Sequence, residues 1–233
     1  TGAGTTYCVT ASVATVSYKI DSSTASTTPV QGVCSGHTAD GYIVNLHPNP
    51  GALSTGGYSN YAGLSPNASS LSTVAAGWAS SGSASRATWS VGGDPTQGDL
   101  GIYTNSNSAL TSGRTYTLRY RINAGQNATV AGPGIWANSG IFSITASSAG
   151  TTSFIANTPV TRWVTFTGDA AALGSGLRIV QHPTIAAGYY YEISDVTLYE
   201  GVYNSAINFC WGNSPGWIWN GTANNSTSTG PPL

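Results

Sequence analysis

The chain has 233 residues, of which only 6% are charged, and its 7 Lys and Arg against 8 Asp and Glu give a formal net charge of -1. Binding to nucleic acids and to anionic membranes depends on clustered cations, so this balance excludes both as main partners. Hydrophobic residues make up 40% of the chain and include 7 Trp and 13 Tyr, which is enough apolar surface for a folded core. No run approaches the roughly 20 apolar residues of a membrane-spanning helix, so no membrane insertion is expected.

The first residues and the cysteines bear on the compartment of the protein. Residues 1–6 have neither the basic start nor the apolar stretch of a signal peptide. We expect either a processed start or a chain that never used the secretory route. Three cysteines, Cys8, Cys34 and Cys210, allow at most one internal disulfide. Cys8 and Cys34 are the candidate pair, and three buried, reduced thiols are the alternative.

Alternating residues near the N-terminus predict β structure. Residues 7–20 form one strand candidate, and turn-forming residues then lead to a short apolar run at 30–34. This run is expected to pair back on the first strand as a hairpin. We therefore predict an N-terminal β arm over residues 1–40.

The central part of the chain, residues 41–201, is predicted to be one β domain. A strand candidate at 41–46 runs into a proline-containing turn, and a glycine-rich stretch without clear periodicity follows at 51–76. Short strands separated by Gly, Asn, Asp and Pro, with no helical period over three turns, predict an all-β sandwich or barrel. The seven strand candidates of this later part are 84–91, 98–103, 115–122, 135–146, 163–167, 176–180 and 189–199.

The C-terminal segment, residues 202–233, is rich in tryptophan. We expect residues 209–220 to form an aromatic clasp that packs on the body or on a neighbouring subunit, and the final dozen residues to be extended or mobile unless a partner holds them. The N-terminal arm and the C-terminal tail are candidate exchange arms between subunits of a homo-oligomer. The candidate assembly residues are Phe209, Trp211, Trp217 and Trp219.

Five motifs in order resemble the jelly-roll carbohydrate-binding modules whose copies also occur in minor tail proteins of bacteriophages. The motifs are NLHPNP at 45–50, GW at 77–78, LTSGRTYTLRY at 110–120, TRWVTFT at 161–167 and YYEISDVTLY at 190–199. The resemblance covers about residues 42–201 and implies a jelly-roll β-sandwich, flanked here by a β-hairpin arm and a Trp-rich extension.

The C-terminal sequence NFCWGNSPGWIWNGTANNSTS at 208–228 resembles the segment that often follows such a module in minor tail proteins of the actinobacteriophage type. The chain departs from the pattern at two places. The usual acidic residue after the Asn-Pro turn is missing at 51–53, and the Asp after the Phe is replaced by Cys210-Trp211. The first departure puts a structural calcium ion in doubt. Asp195 is then the best single calcium ligand candidate, and no other cofactor is expected.

Sugar-binding modules stack aromatic rings on sugar rings and use a few polar side chains to fix the hydroxyl groups. Core packing is the alternative for each aromatic residue, and for Trp163 it is the expected one. The aromatic candidates are Trp136, Trp89, Trp78, Tyr103 and Tyr116, and the polar candidates are Arg114, Gln97 and Asn138.

Catalytic motifs are missing from the sequence, which has no Gly-x-Ser-x-Gly, no His-Glu-x-x-His and no phosphate-binding loop. Asp94 and Asp99 are the only candidate carboxylate pair for glycoside hydrolysis, and a turn with solvated acids is the simpler interpretation. We therefore expect no enzyme.

The first hypothesis is a structural virion protein of a bacteriophage, either a minor tail or a surface-decoration subunit. Such a protein would assemble with other virion proteins in the host cytoplasm and use its jelly roll to adhere to host-surface glycan. The second hypothesis is a free-standing carbohydrate-binding module that targets a hydrolase to polysaccharide. A small polysaccharide-active enzyme based on Asp94 and Asp99 is the third.

Overall fold

A computed structural model describes residues 8–13, 16–21, 30–31, 43–62, 69–90, 100–104, 110–130, 136–137, 140–141, 143–147, 152–168, 177–179, 187–203 and 208–231. Within these ranges there are 19 strands and no helix, and so none that could cross a membrane. The strands are β1 (Cys8–Val13), β2 (Val16–Asp21), β3 (Val30–Gln31), β4 (Ile43–Asn45), β5 (Tyr58–Ala62), β6 (Ser69–Ala75), β7 (Ser83–Trp89), β8 (Leu100–Thr104), β9 (Thr115–Ala124), β10 (Ala128–Val130), β11 (Trp136–Ala137), β12 (Gly140–Ile141), β13 (Ser143–Ser147), β14 (Thr152–Phe154), β15 (Val160–Thr167), β16 (Leu177–Arg178), β17 (Tyr190–Glu200), β18 (Ile218–Trp219) and β19 (Ser228–Gly230).

Two antiparallel sheets pack face to face, which confirms the predicted all-β jelly-roll sandwich. The six-stranded sheet has the order β13-β15-β9-β17-β7-β6, and the five-stranded sheet has the order β12-β11-β16-β8-β5. One hydrophobic cluster joins them, because Tyr58, Ile102 and Leu177 of the five-stranded sheet belong to the same cluster as the central strands of the six-stranded sheet. The cluster residues from those central strands are Ala87, Trp89, Tyr116, Leu118, Tyr120, Ile122, Ala124, Val164, Phe166, Tyr191, Ile193, Val196 and Leu198.

The alternation along β9 and β15 decides which residues face the core. Val164 and Phe166 lie in the core cluster, so Trp163 between them belongs to the outer face of the sheet, where it is half-buried. The prediction that Trp163 is a core residue is therefore wrong. The apolar neighbours suggested a buried run, but the pleat sends successive side chains to opposite faces.

The N-terminal β structure differs from the predicted single strand at 7–20. β1 and β2 form an antiparallel pair in which Val13 lies opposite Val16, and β3 adds to the other edge of β2. The hairpin partner predicted at 30–34 is thus confirmed at Val30–Gln31, and the single strand is wrong. The apolar positions are odd-numbered up to Val13 and even-numbered from Val16, which is the change of phase that a two-residue connection produces between paired strands.

Two further strand predictions need correction. The stretch at 51–76, which shows no clear period, contains β5 and β6. β6 is an edge strand whose residues are mostly exposed, so its serines and threonines carry no apolar alternation. The single strand predicted at 135–146 is divided among β11, β12 and β13, and β13 belongs to the six-stranded sheet while the other two belong to the five-stranded sheet.

The C-terminal segment folds on its own chain. β19 pairs with β18 on one side and with β4 on the other, which forms a three-stranded sheet. Trp217 is buried and stacks on Tyr199 of β17, with ring centroids 6.2 Å apart. A Cβ at Gly230 would collide with the Trp217 ring, so the close approach requires glycine.

These contacts correct two predictions about the C-terminus. The final dozen residues are predicted to be extended or mobile unless a partner holds them, but β19 within them pairs with β4 of the same chain, which offers an open edge. The aromatic clasp packs on the body of the same chain, as the first of its two predicted alternatives has it. The prediction that the C-terminal tail is exchanged between subunits is therefore wrong.

The turn after β4 contains a buried histidine that will make stability depend on pH. His47 is fully buried, packs on the Tyr58 ring with centroids 4.9 Å apart, and accepts the backbone N–H of Asn49 at its Nδ1. Burial lowers the pKa of His47 from 6.5 to about 3. Between these two pH values the unfolded chain binds a proton that the folded chain does not, so stability is full above pH 6.5 and falls as the pH drops towards 3.

We expect the difference in unfolding free energy between wild type and His47→Gln to change by up to about 1.4 kcal/mol per pH unit in this window. Urea denaturation of both proteins from pH 7.5 to 3.5 measures it. Other titrating groups are common to the two proteins, so they cancel. Parallel pH profiles would contradict the prediction.

Candidate functional site

Two of the predicted sugar-stacking residues lie in the core. Trp89 is 0% exposed and Tyr116 is 1% exposed, and both belong to the cluster between the sheets. Tyr116 packs on Phe166 and its hydroxyl accepts the backbone N–H of Thr111. The structure corrects the prediction for both residues, since neither presents a ring face to solvent. The sequence gives no sign of this, because a strand residue near a turn can face either way.

Trp78 lies in the turn between β6 and β7 on the outer face of the six-stranded sheet. The indole N–H donates to Glu192 at 3.3 Å, and the Arg121 guanidinium lies over the ring, 5.4 Å from its centroid. The ring also packs against a small cluster of buried alanines at positions 76, 79 and 84. Contacts within the chain therefore use the indole N–H and part of the ring surface.

The register of the five-stranded sheet aligns two other predicted residues in one row. Trp136 of β11 pairs with Arg178 of β16, Arg178 pairs with Tyr103 of β8, and Tyr103 pairs with Ser59 of β5. Directly paired positions of antiparallel strands share a face of the sheet. With about 4.8 Å between strands, positions 136 and 103 are about 10 Å apart.

The burial of the neighbouring positions assigns this row to the outer face. Ile102, Thr104, Leu177 and Ile179 flank the row along β8 and β16, and all four are buried. Since successive strand positions alternate between faces, positions 103 and 178 belong to the face opposite the core. Strand register thus aligns positions 136, 178 and 103 in one row on the outer face of the sheet.

The row differs from the predicted set of sugar-binding residues in its polar members. Arg178 lies in the strand candidate 176–180 but is not among the predicted binding residues, because the sequence does not show which strands are neighbours in the sheet. Arg114 directly precedes β9 of the other sheet and pairs with Glu200, so it does not belong to the row. Gln97 and Asn138 lie outside the described residues.

A polar network occupies the centre of the outer face of the six-stranded sheet. Glu192 is 3% exposed, and its carboxylate accepts hydrogen bonds from Arg86 Nε at 2.9 Å and Asn123 Nδ2 at 2.8 Å, in addition to the Trp78 indole. Arg86 also lies over the Tyr190 ring, 4.1 Å from its centroid. Three different side chains therefore donate to this one buried carboxylate.

Asp195, the calcium ligand candidate, is already satisfied by the chain. It is 1% exposed, accepts both the backbone N–H and the hydroxyl of Ser80 at 3.0 and 2.8 Å, and lies 3.5 Å from Arg121. Ca²⁺ takes about six to eight oxygen ligands, usually including several carboxylates. No group of three or more His, Cys, Asp or Glu side chains lies together in the described part of the chain. The residues around Asp195 do not fit a calcium ion, because a guanidinium already supplies the positive charge.

The described carboxylates do not form a pair suited to acid–base catalysis. Where the structure describes the side chain of an acidic residue, as for Glu192, Asp195 and Glu200, that carboxylate pairs with an arginine. Glycoside hydrolysis needs one protonated and one ionised carboxyl group on either side of a bond. Asp94 and Asp99 lie outside the described residues.

Three of the four predicted assembly residues, Phe209, Trp211 and Trp219, form a cluster on the C-terminal segment, while Trp217 packs on Tyr199. Phe209 packs on Trp211 with centroids 5.8 Å apart, and Trp211 contacts Trp219 edge to face at 6.0 Å. Cys210 between them is a free, half-buried thiol whose pKa is raised by burial. The pairing of Cys8 with Cys34 lies outside the described side chains.

Comparisons with known proteins add structural likenesses only. No protein family model matches the chain, and no curated protein matches it. A Clostridium thermocellum endo-1,4-β-D-xylanase with a CBM22 module, complexed with xylohexaose, is similar over 69% of this chain and 28% of that chain (12% identity, TM-score 0.43).

Two smaller structures match over most of their own length. A CBM22 xylan-binding domain from Paenibacillus barcinonensis is similar over 70% of this chain and 94% of that chain (9% identity, TM-score 0.43). The N-terminal cellulose-binding domain of a Cellulomonas fimi β-1,4-glucanase is similar over 62% of this chain and 96% of that chain (21% identity, TM-score 0.35). None of these three is a bacteriophage protein, so the phage origin implied by the sequence motifs stays a prediction.

Proposed function

We propose that this chain is a non-catalytic glycan-binding module that holds a polysaccharide across the outer face of its five-stranded sheet. The observation that carries the proposal is the row formed by Trp136, Arg178, Tyr103 and Ser59. Aromatic residues stack on sugar rings, and a guanidinium and a hydroxyl supply the directional hydrogen bonds that select among them. A row that crosses four strands suits an extended ligand lying perpendicular to the strands.

The charge of the chain supports a polysaccharide as the partner. With only 6% charged residues, the surface does not steer strongly charged macromolecules, whereas stacking and hydrogen bonding need no net charge. The arginine pairs at Glu192, Asp195 and Glu200 support a binding role over a catalytic one. The free-standing module thus becomes the leading hypothesis.

The row predicts which substitutions weaken the binding of a glycan. We expect Trp136→Ala and Tyr103→Ala each to weaken binding at least about tenfold, the scale of an aromatic residue that dominates an interface. A glycan array that includes xylan and cellulose identifies the ligand, and calorimetric titration measures the affinities. Trp219→Ala, a half-buried tryptophan on the C-terminal segment, serves as the control and should bind as wild type does. Equal loss in all three variants, or none, would contradict a site on this sheet.

As the second candidate function, we propose that the module is not free-standing and is displayed on a virion, as a minor tail or surface-decoration subunit. The sequence at 208–228, which resembles the segment that follows such modules in minor tail proteins, supports this placement. Because the C-terminal segment packs on its own chain, subunit exchange is retained for residues 1–40 only. Light scattering measures the mass of the full chain and of a chain lacking residues 1–40, and so tests whether residues 1–40 join subunits. An oligomer that becomes a monomer on truncation supports assembly through the arm, and two monomers contradict it.

A further inference from the structure

Among the described residues, the outer face of the six-stranded sheet holds one arginine more than its carboxylates pair with. Arg86 pairs with Glu192 and Arg121 pairs with Asp195, whereas Arg119 lies within 4.0 Å of no carboxylate oxygen among the described residues. Its one described hydrogen bond is a 3.5 Å contact from Nη1 to the Asp195 backbone carbonyl. A guanidinium has five N–H donors, so most of the donor capacity of Arg119 is unused by these residues.

The environment of Arg119 favours an arriving anion. Burial lowers the pKa of Arg119, and the neighbouring Arg121 acts in the same direction, while the Asp195 charge opposes them. Arg119 is half-buried, so part of its side chain remains exposed to solvent. A partly desolvated cation that remains accessible binds a carboxylate more strongly than a fully exposed cation does.

A half-buried indole lies beside this arginine. Trp163 of β15 is the direct register partner of Arg119 on β9, which places the two Cβ atoms about 5 Å apart on the same face. An aromatic ring next to a guanidinium is suited to a sugar that carries a carboxylate, because the ring packs on the sugar and the guanidinium binds the acid in a bidentate way.

We propose that Arg119 and Trp163 form a second glycan-binding site, specific for a uronic acid residue, on the sheet opposite the row of Trp136 and Tyr103. The choice of a sugar as the ligand rests on the proposed function, but the site itself uses other residues. The carboxylate binds Arg119 and the ring of the same residue packs on Trp163. The protein then holds two polysaccharide segments, one on each face of the sandwich.

The test uses the full chain with hexagalacturonate and with its full methyl ester, which keeps the sugar rings and removes the charge. Calorimetry is done on the Trp136→Ala background, so that the site on the five-stranded sheet contributes little. We expect the acid to bind at least about tenfold more tightly than the ester, the scale of one charge-assisted hydrogen bond, and Arg119→Gln to remove that difference. Arg114→Gln, which removes an arginine with a carboxylate partner, should leave the difference unchanged.

Two further measurements keep the proposal falsifiable if Arg119→Gln does not fold. Addition of hexagalacturonate should shift the indole N–H resonance of Trp163 in wild-type protein, and Arg119→Lys should retain part of the preference for the acid. Equal affinity for acid and ester, or a preference that survives Arg119→Gln, overturns the second site. The change in affinity for the methyl ester between wild type and Trp136→Ala tests only the proposed function. The difference between acid and ester tests only the second site, so the two failures are distinguishable.

Discussion

Replacing Asn45 with Ala is expected to lower the free energy of unfolding by about 3 to 5 kcal/mol. Asn45 is 0% exposed and ends β4. Its Nδ2 donates to the carbonyls of Val196 at 3.2 Å and Cys210 at 2.9 Å, and its Oδ1 accepts the N–H groups of His47 at 3.1 Å and Leu198 at 3.0 Å. One side chain therefore bonds to four backbone groups, and alanine would remove all four hydrogen bonds, three of which are buried.

The position of Asn45 explains why its side chain is needed. Asp195 in the bulge of β17 has a positive φ of 52°, and the register shifts between Ser194 and Thr197. The ladder to β9 is interrupted there, so backbone groups near the bulge need another partner. Asn45 supplies it and also joins the bulge to the C-terminal segment through Cys210.

Asn220→Ala is the matched control, because Asn220 also makes two side-chain hydrogen bonds, to Thr227 and Thr229, but is exposed. We expect it to cost less than about 1 kcal/mol, since water replaces the lost partners. Urea denaturation of both variants measures the difference. Equal costs at the two positions would contradict the role given to Asn45.

Replacing Glu192 with Ala is expected to cost about 3 kcal/mol of stability. The substitution removes the acceptor for Arg86, Asn123 and Trp78 at once. Breaking a buried ion pair from one side costs about 3 to 5 kcal/mol, because the remaining charge has no partner. We take the lower end, since the Arg86 side chain is 33% exposed and water can partly solvate it.

Glu200→Ala tests the same kind of ion pair in an exposed place. The Arg114 and Glu200 side chains are 49% and 33% exposed, so breaking this pair should change stability by less than about 1 kcal/mol. Glu192→Gln keeps one carbonyl acceptor and should fall between the two. Chemical denaturation that ranks the three variants differently would show that burial does not set the energy of these pairs.

The sequence predicted the fold class and several strands well, but the functional residues only in part. β9 and β17 were expected almost over their full length, because long alternating runs next to turn residues leave few other structures. Trp136 and Tyr103 were named as aromatic candidates without any sign that they share a row. Trp89 and Tyr116 were named for the same reason and lie in the core, since a ring in a strand does not show from sequence which face it occupies.

The sequence by itself determined that this protein is a low-charge, all-β domain with aromatic residues to spare, because composition, turn residues and period-two alternation act locally. Only the tertiary structure decided that Arg178 joins Trp136 and Tyr103, that Arg119 alone lacks a described carboxylate partner on its face, and that the C-terminal strand closes on β4. These facts depend on strand register and on pairs more than 30 residues apart in the chain. Local propensity carries no information about such pairs, because the energy that selects them comes from burial and hydrogen bonding in the assembled sandwich.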